Sequence, residues 1–359
     1  MRVGEVIKDY RIKTEPTNSG GGMCMWAFAV KHEREYFIKE FLQPKWPTDD
    51  SMGSPAGKEL RRADCHEFER RHKEIIHRLG DVTKTPGGGN LVTAVDFFRS
   101  NTTYYKVTEK IVTASLSSVS ALSVRERAVI FRTLVLSLEM LHRKEIVHGD
   151  LKPSNVLIQK GGSGMHTAKL IDFDDSFLSG SPPPKDQIVG DSIYAAPEWF
   201  AYTKEGSTIA PEALTTAVDI FALALLFHHY LTNSLPDRAS ARYSAPGQAV
   251  SAGERLLVDG RLSAGLNRLL VRMMAPLPGD RPTLDEVFAE LQDEALLANR
   301  PVSRVRIHMG NPEKGETDDG DRCLFRSLQV CRRYSLLHRR NRQHEAGDQR
   351  GEKQCTSVS

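Results

Sequence analysis

Residues 148–173, HGDLKPSNVLIQKGGSGMHTAKLIDF, are the stretch that decides how this chain folds. Two apolar runs, 156–158 and 168–171, flank a glycine-rich break and predict a β-hairpin with a loose loop. In an antiparallel pair the first strand begins where the second ends, so Asn155 and Asp172 are expected to meet at one end of the hairpin. Amide and carboxylate oxygens of this kind suit Mg²⁺, which leaves its other positions for water and phosphate.

Two further polar residues lie just upstream of the first strand. Asp150 is in a loop, and Pro153 disfavours helix at Lys152. A carboxylate and an ammonium beside a metal can orient a hydroxyl and neutralise a moving phosphoryl group. Any one of these residues alone is more simply explained as structural, for example as an Asp that caps a turn. Together their order and spacing predict an ATP-dependent phosphoryl transfer.

This run resembles the catalytic and metal-binding loops of the protein kinase superfamily, and the resemblance covers about residues 10–295. It implies that Asp150 and Lys152 are catalytic and that Asn155 and Asp172 hold the metal. Further matches lie downstream, where GDSIYAAPE resembles the end of an activation segment, Asp219 the aspartate that supports the catalytic loop, and Arg281 the arginine that pairs with Glu198.

Two other interpretations stay open. HGD and DFDD also resemble small-molecule kinases of the aminoglycoside and choline type, although those enzymes lack the APE segment. A pseudokinase scaffold is the second alternative, because four positions depart from the family pattern: Phe37, Gly149, Asp174 and Asp191. Retention of all four central groups argues against a scaffold.

The nucleotide-binding residues are expected upstream. SGGGMCMW resembles the loop that covers the ATP phosphates, with close backbone approach at Gly20, Gly21 and Gly22, although a triple glycine alone is more often a flexible turn. Lys39 matches the lysine that grips the α and β phosphates. Phe37 stands where the family has a small residue against adenine, and its ring is expected to reshape or partly close the pocket.

The glutamate that pairs with Lys39 is harder to identify. His72 falls nearest to the family's position, and Glu69 lies one helical turn earlier, so Glu69 is the prediction. Glu74 and Glu67 remain alternatives. In the next strand Thr108 matches the gatekeeper.

By the same resemblance, the backbone from Glu109 to Ile111 is expected to bind adenine at the hinge.

Three departures qualify the chemistry. Gly149 replaces the arginine before the catalytic Asp, so activity is not expected to need loop phosphorylation. Asp174 replaces the Gly after AspPhe and is expected either to add a metal ligand or to restrict the backbone. Asp191 replaces a threonine that positions the catalytic Asp and Lys, which affects substrate handling more than ATP binding.

Composition favours an intracellular, cytoplasmic enzyme. The 359 residues include five scattered cysteines without a CxxC pair, which argues against a disulfide framework or zinc site. The sequence shows neither a secretory signal nor an apolar run long enough for a transmembrane helix. The net charge of +3 selects no partner and does not indicate nucleic acid. The tail has a basic stretch that is either disordered or an amphipathic helix for an acidic partner.

The sequence therefore predicts an α+β, two-lobed protein kinase-like fold. The expected parts are an N-terminal extension at 1–9, a kinase domain at 10–297, and a polar and basic tail at 298–359. The β-rich lobe extends to about 108 and the helical lobe begins at about 111. The expected reaction transfers the γ-phosphoryl group of Mg-ATP to Ser or Thr of a protein substrate, with ATP and Mg²⁺ as cofactors.

Overall fold

The computed structural model describes residues 1–298, apart from residues 21, 83–87, 117, 163 and 189. In this part of the chain a β-rich lobe precedes a larger lobe made mostly of helices. The expected α+β, two-lobed fold is confirmed. Gly21 and the basic tail lie outside the described residues, so the expectations for them stay predictions.

In the described part of the chain, the small lobe is one sheet of six strands: β1 (Val6–Ile7), β2 (Tyr10–Ile12), β3 (Cys24–Lys31), β4 (Arg34–Phe41), β5 (Ala94–Ser100) and β6 (Thr103–Glu109). The strand order is β1-β2-β3-β4-β6-β5, and each neighbouring pair is antiparallel. Alternate side chains of β3 and β4 are buried, including Ala27, Ala29 and Ile38. β4 and β6 lie next to each other, which brings Lys39 opposite Lys106.

The first nine residues belong to this sheet. Val6 pairs with Arg11 and Ile7 with Tyr10, and Ile7 is buried in the small-lobe core. The amino terminus donates a hydrogen bond to the Glu40 carboxylate at 3.0 Å. The expected boundary between residues 9 and 10 therefore falls inside a β-hairpin of the lobe, between two strands that pair with each other.

One long helix, α1 (Pro55–Val82), packs against both lobes: Cys65 lies in a core of the small lobe, and Ile75 and Leu79 lie in the core of the large lobe. Its start follows helix-capping chemistry, since the Ser54 hydroxyl accepts a hydrogen bond from the Gly57 N–H at 3.1 Å and proline opens the first turn. The buried side chains recur at helical spacing: Cys65, His72, Ile75, Leu79 and Val82. His72 thus faces inward, towards the sheet.

The large lobe contains the helices α2 (Val124–His142), α3 (Pro197–Thr203), α4 (Ala217–Thr232), α5 (Pro246–Ser251), α6 (Ala264–Met273) and α7 (Leu284–Glu290). A capping box between Ser123 and Glu126 begins α2. Phe131 of α2 stacks on Phe227 of α4 with ring centroids 4.0 Å apart, and α4 is buried on most of its surface. No helix in the described residues is both long enough and apolar enough to cross a membrane.

Short strand pairs complete the large lobe: β7 (Ile146–Val147) with β10 (Phe177–Leu178), β8 (Val156–Lys160) with β9 (His166–Leu170), and β11 (Asp237–Arg238) with β12 (Leu256–Leu257). The β8–β9 pair is the hairpin predicted from the sequence, with Val156 opposite Leu170. At its end the Ile171 N–H donates to the Asn155 carbonyl at 3.1 Å. This contact holds the segment that precedes Asp172 beside the start of β8.

Candidate active site

The Asp150 carboxylate is held by donors from three directions. Lys152 Nζ lies 3.1 Å from Oδ1 and 2.8 Å from Oδ2, and the Asn155 amide donates to Oδ2 at 2.8 Å. The backbone N–H of Asp191 donates to Oδ1 at 2.7 Å. Asp150 and Asn155 are both buried. The structure therefore brings Asp150, Lys152 and Asn155 together, with one carboxylate fixed in orientation between them.

A buried carboxylate supports this loop from below. Asp219 of α4 accepts the N–H of His148 at 2.8 Å and the N–H of Gly149 at 3.1 Å, and the His142 imidazole lies 3.0 Å from the same group. Two backbone donors on one carboxylate fix the direction of the peptide chain just before Asp150. The support expected of Asp219 is present in the geometry.

The glycine at position 149 has a structural reason. Its φ is +79°, in the left-handed region, and a Cβ there would lie 2.7 Å from the Asp175 carbonyl oxygen. Any side chain at this position would meet both backbone strain and a backbone atom. In this chain the loop path around residue 149 excludes an arginine.

Asp191 takes over part of the expected threonine contact. Its backbone binds Asp150, and its own carboxylate accepts the Ile193 N–H at 2.9 Å and lies 3.8 Å from Lys152 Nζ. Burial lowers the pKa of Lys152, but the Asp150 carboxylate outweighs that effect and the net shift is upward. Lys152 is therefore held as an ammonium beside Asp150.

The Lys39 ammonium contacts two aspartates of the segment after β9. Its Nζ lies 2.9 Å from both oxygens of Asp172 and 2.7 Å from Asp174 Oδ2. Burial opposes its charge, but Asp174 and Asp172 together raise the pKa of Lys39. Asp172 has a φ of 64°, a left-handed conformation that Asp tolerates better than most residues. Lys39 is thus charged and linked directly to Asp172.

Two residues that the sequence analysis did not assign to the site complete this cluster. Lys106 of β6 contacts Asp174 Oδ1 and lies 3.4 Å from Asp172 Oδ1. His72 of α1 places Nε2 3.6 Å from Asp174 Oδ1, and burial lowers the pKa of His72. The signal for Lys106 was its position in the middle of a strand, between Tyr105 and Val107, where a buried lysine requires a counter-ion.

The structure does not bring Glu69 to Lys39. The Glu69 carboxylate accepts a hydrogen bond from the Tyr104 hydroxyl at 2.8 Å and from Lys73 at 2.8 Å. The two alternatives also form pairs along α1, Glu67 with Arg70 and Glu74 with Arg78. The expected pairing fails because Tyr104 and Lys73 hold the Glu69 carboxylate one helical turn before His72, and His72 is the residue of α1 that contacts Asp174.

The other predicted nucleotide-binding residues line a cleft beside Lys39. Two cavities of about 390 and 620 Å³ share Gly20, Lys39, Asn155 and Asp172 in their walls. Glu109 and Ile111 line the smaller cavity, and Gly22 lines the larger one. Both volumes lie within the range of small-molecule sites.

The roof of the smaller cavity is aromatic. Phe37 stacks on Trp26 with ring centroids 5.3 Å apart, and Phe28 meets Phe37 edge to face at 6.2 Å. Val92 and Leu157 supply apolar surface elsewhere in the same cavity. Phe37 therefore reshapes the pocket without closing it, and the space suits a flat heterocycle.

The donor set suits Mg-ATP. In the described residues, no group of three or more His, Cys, Asp or Glu side chains could hold a metal ion unaided. Mg²⁺ typically takes one or two protein oxygens and completes its shell with phosphate and water. Asp172 and Asn155 face the cleft and supply such oxygens, and Gly20, Gly22 and Lys39 lie where phosphates would follow.

The activation-segment match also has the expected geometry. Arg281 donates to both oxygens of Glu198, at 2.6 and 2.7 Å, and both residues are buried. Arg281 also donates to the Ala217 carbonyl at 2.8 Å, which links the pair to α4. A bidentate pair of this kind fixes the end of the segment against the large lobe.

A family model described as "Protein kinase domain" matches residues 56–291. The chain is 27% identical over 275 residues to the "Probable serine/threonine-protein kinase MARK-C" of Dictyostelium discoideum. The aligned region covers 69% of this chain and 33% of that protein. It is 30% identical over 176 residues to the "Serine/threonine-protein kinase ssp1" of Schizosaccharomyces pombe, covering 46% of this chain and 25% of that protein. The chain thus spans a third or less of the length of these relatives.

A solved structure shows the same fold. The Cydia pomonella granulovirus kinase PK-1 superposes with a TM-score of 0.52 at 16% sequence identity, and the match covers 81% of this chain and 95% of that one. At this identity the likeness concerns the fold alone.

Proposed function

The chain belongs to the protein kinase family, and on that premise we propose that it transfers the γ-phosphoryl group of Mg-ATP to serine or threonine hydroxyls of proteins. The single observation that carries the proposal is the Asp150 carboxylate, fixed by Lys152, Asn155 and the Asp191 N–H at the edge of the cleft. A carboxylate so placed can receive a proton from an incoming hydroxyl.

The residues divide the reaction between them. The substrate oxygen attacks the γ-phosphorus, the bond from that phosphorus to the β–γ bridging oxygen breaks, and ADP leaves with the electron pair. Asp150 orients the hydroxyl and accepts its proton, while the Lys152 ammonium offsets negative charge on the moving group. Lys39 holds the other phosphates.

Nucleotide binding is proposed for the remaining predicted residues. Gly20, Gly21 and Gly22 would cover the phosphates, and the backbone from Glu109 to Ile111 would hydrogen-bond the base. Asn155 and Asp172 would hold Mg²⁺. The ion, when bound, neutralises phosphate charge and helps to align the γ-phosphoryl group.

The choice of Ser or Thr over Tyr has two supports. The sequence Lys152-Pro153-Ser154-Asn155 after the catalytic Asp resembles the Ser/Thr type, and the curated relatives carry serine/threonine kinase names. A cytoplasmic location belongs to the same proposal, since the reaction consumes ATP. An acidic partner for the basic tail stays a prediction.

The test is incubation of the full chain with γ-labelled ATP and Mg²⁺, alone and with a generic basic protein, beside Asp150→Asn. We expect label on Ser or Thr, and a loss of about 10²–10⁴-fold in the variant, because the hydroxyl loses its proton acceptor. ADP affinity should not change between the two proteins, which shows that the cleft is intact.

Two results would contradict the proposal. Equal rates in Asp150→Asn and wild type would remove the role of Asp150. Label that appears on an aminoglycoside or amino alcohol, with none on protein, would show a small-molecule kinase instead.

A further inference from the structure

Two lysines face each other inside the small lobe. Lys39 on β4 and Lys106 on β6 are register partners in adjacent antiparallel strands, and they are 6% and 7% exposed. Like charges directly opposite each other destabilise a sheet, and burial increases that cost. The strand pair therefore needs carboxylates at this point.

Asp174 supplies a carboxylate to both lysines. Its Oδ2 lies 2.7 Å from Lys39 Nζ, and its Oδ1 contacts Lys106 Nζ. Asp172 also reaches both, at 2.9 and 3.4 Å, so two carboxylates face two ammonium groups. The charge of the four groups is balanced only when both aspartates are present.

The two aspartates differ in depth. The Asp174 side chain is 13% exposed and lines the larger cavity, whereas the Asp172 side chain is 31% exposed and lines both cavities of the cleft. Both carboxylates contact the lysines, so the difference between them is how far each side chain is exposed to the cleft. Asp172 is the one that can turn to the cleft, and Asp174 is the one that stays with the lysines.

Helix α1 offers no carboxylate at this point. The position that faces Asp174 is His72, whose imidazole lies among the rings of Phe41, Phe68 and Phe97. Its Nε2 is buried and has no hydrogen-bond partner within the described residues. In other protein kinases a glutamate of this helix holds the strand lysine. In this chain α1 does not provide that glutamate.

We propose that Asp174 is the positioning residue for Lys39, acting as a shared counter-ion of Lys39 and Lys106 in place of a helix glutamate. The effect on catalysis rests on the proposed function, because Lys39 matters to the rate only if it grips ATP. The consequence is that the segment 172–174, and not α1, sets the position of the Lys39 ammonium.

The test uses a nucleotide probe, an ATP acyl phosphate that acylates a lysine beside the bound phosphates, with Lys39 modification measured by mass spectrometry. In Asp174→Asn we expect acylation of Lys39, and phosphoryl transfer where present, to fall about 100-fold, the cost of a misplaced group. Glu69→Gln is the matched control, since Glu69 lies on α1 and contacts Tyr104 and Lys73. It should keep the wild-type rates.

A second pair of variants guards against a simple folding defect. Asp174→Gly combined with His72→Glu moves the carboxylate to α1, and we expect it to restore acylation of Lys39 relative to Asp174→Gly. Lys106→Met in the Asp174→Asn background removes the one ammonium group that is then in excess over the remaining Asp172 carboxylate. We expect this double variant to be more stable than Asp174→Asn in urea unfolding.

The proposal fails if Asp174→Asn is acylated at Lys39 like wild type, if Glu69→Gln loses acylation, or if wild type is not acylated there at all. Acylation that depends on Asp174, in a protein that phosphorylates nothing, would sink the proposed function and leave this inference standing.

Discussion

The two walls of the cleft each hold a lysine beside carboxylates, but they assemble these groups over very different distances along the chain. In the large lobe, Asp150, Lys152 and Asn155 lie within six residues of one loop. In the small lobe, Lys39 lies opposite Lys106 of another strand, and both lysines are balanced by Asp172 and Asp174 from beyond the hairpin β8–β9.

The difference shows where substitution is possible. In a short loop the backbone fixes the positions of all three side chains relative to one another. A cluster built from separate segments requires a carboxylate beside the lysine, but any of the neighbouring segments can provide it. The structure accordingly keeps the loop pattern intact and brings the carboxylate for Lys39 from the 172–174 segment instead of from α1.

The largest effect is expected where the large-lobe wall is anchored. Glu198→Gln leaves Arg281 buried beside a neutral partner, so we expect a loss of about 3–5 kcal/mol in the free energy of unfolding. Urea denaturation measures it. Glu290→Gln, which breaks an exposed pair with Arg272, is the control and should cost about 1 kcal/mol or less. Equal costs for the two variants would mean that the buried pair does not anchor this wall.

A smaller effect is expected at the loop itself. Gly149→Ala forces a non-glycine residue to φ +79° and puts its Cβ 2.7 Å from the Asp175 carbonyl oxygen, so we expect about 1–3 kcal/mol of destabilisation together with slower transfer. Thermal unfolding and the labelling assay check both.

Gly164→Ala is the matched control for that variant. Its φ is +81°, but nothing lies within 4 Å of its Cβ, so it carries the backbone strain without the collision. We expect it to cost less than Gly149→Ala and to leave transfer unchanged. If Gly164→Ala costs as much, close approach is not what fixes the loop.

The third effect depends on pH and concerns Asp175, between the two walls. Burial, and then the negative charges of Asp150 and Asp174, raise the pKa of Asp175 from 3.8 to about 7. The folded chain therefore keeps a proton that the unfolded chain releases, and the stabilisation from this proton is complete below about pH 4 and is lost as the pH rises to about 7. The slope is at most about 1.4 kcal/mol per pH unit.

The measurement is urea unfolding of the protein without nucleotide or Mg²⁺ from pH 4 to 8, compared with Asp175→Asn. In Asp175→Asn the free energy of unfolding should not show the decrease between pH 4 and 7 that Asp175 causes in the wild type. Parallel curves for the two proteins would show that Asp175 does not hold a proton in this range. The wild type and Asp175→Asn have the same charged groups around position 175, so the comparison isolates Asp175. These groups are Lys39, Arg71, Asp150, Lys152, Asp172 and Asp174.

Much of the site was predictable because it is local. The order of Asp150, Lys152 and Asn155 predicted a loop before a hairpin, and the structure brings those three side chains together. The pair Glu198 and Arg281 was predictable only through resemblance, since 83 residues separate them. Their expected contact is present.

Other features were beyond the reach of sequence reasoning. The choice of Glu69 failed because residues one helical turn apart share a face, so counting along the helix could not decide which of them contacts the cluster around Lys39. In the structure that residue is His72. The role of Lys106 depends on strand register, which sets it opposite Lys39. The inclusion of residues 1–9 in the sheet depends on a pairing of two short strands that leave little signal in the sequence.

By itself the sequence determined the two-lobed class, through its resemblance to protein kinases, and the loop in which Asp150, Lys152 and Asn155 meet, because these three groups lie a few residues apart. Only the tertiary structure decided which carboxylate holds Lys39. Four segments meet there, and a buried pair of ammonium groups is satisfied by charge and distance, whichever part of the chain provides the oxygen atoms.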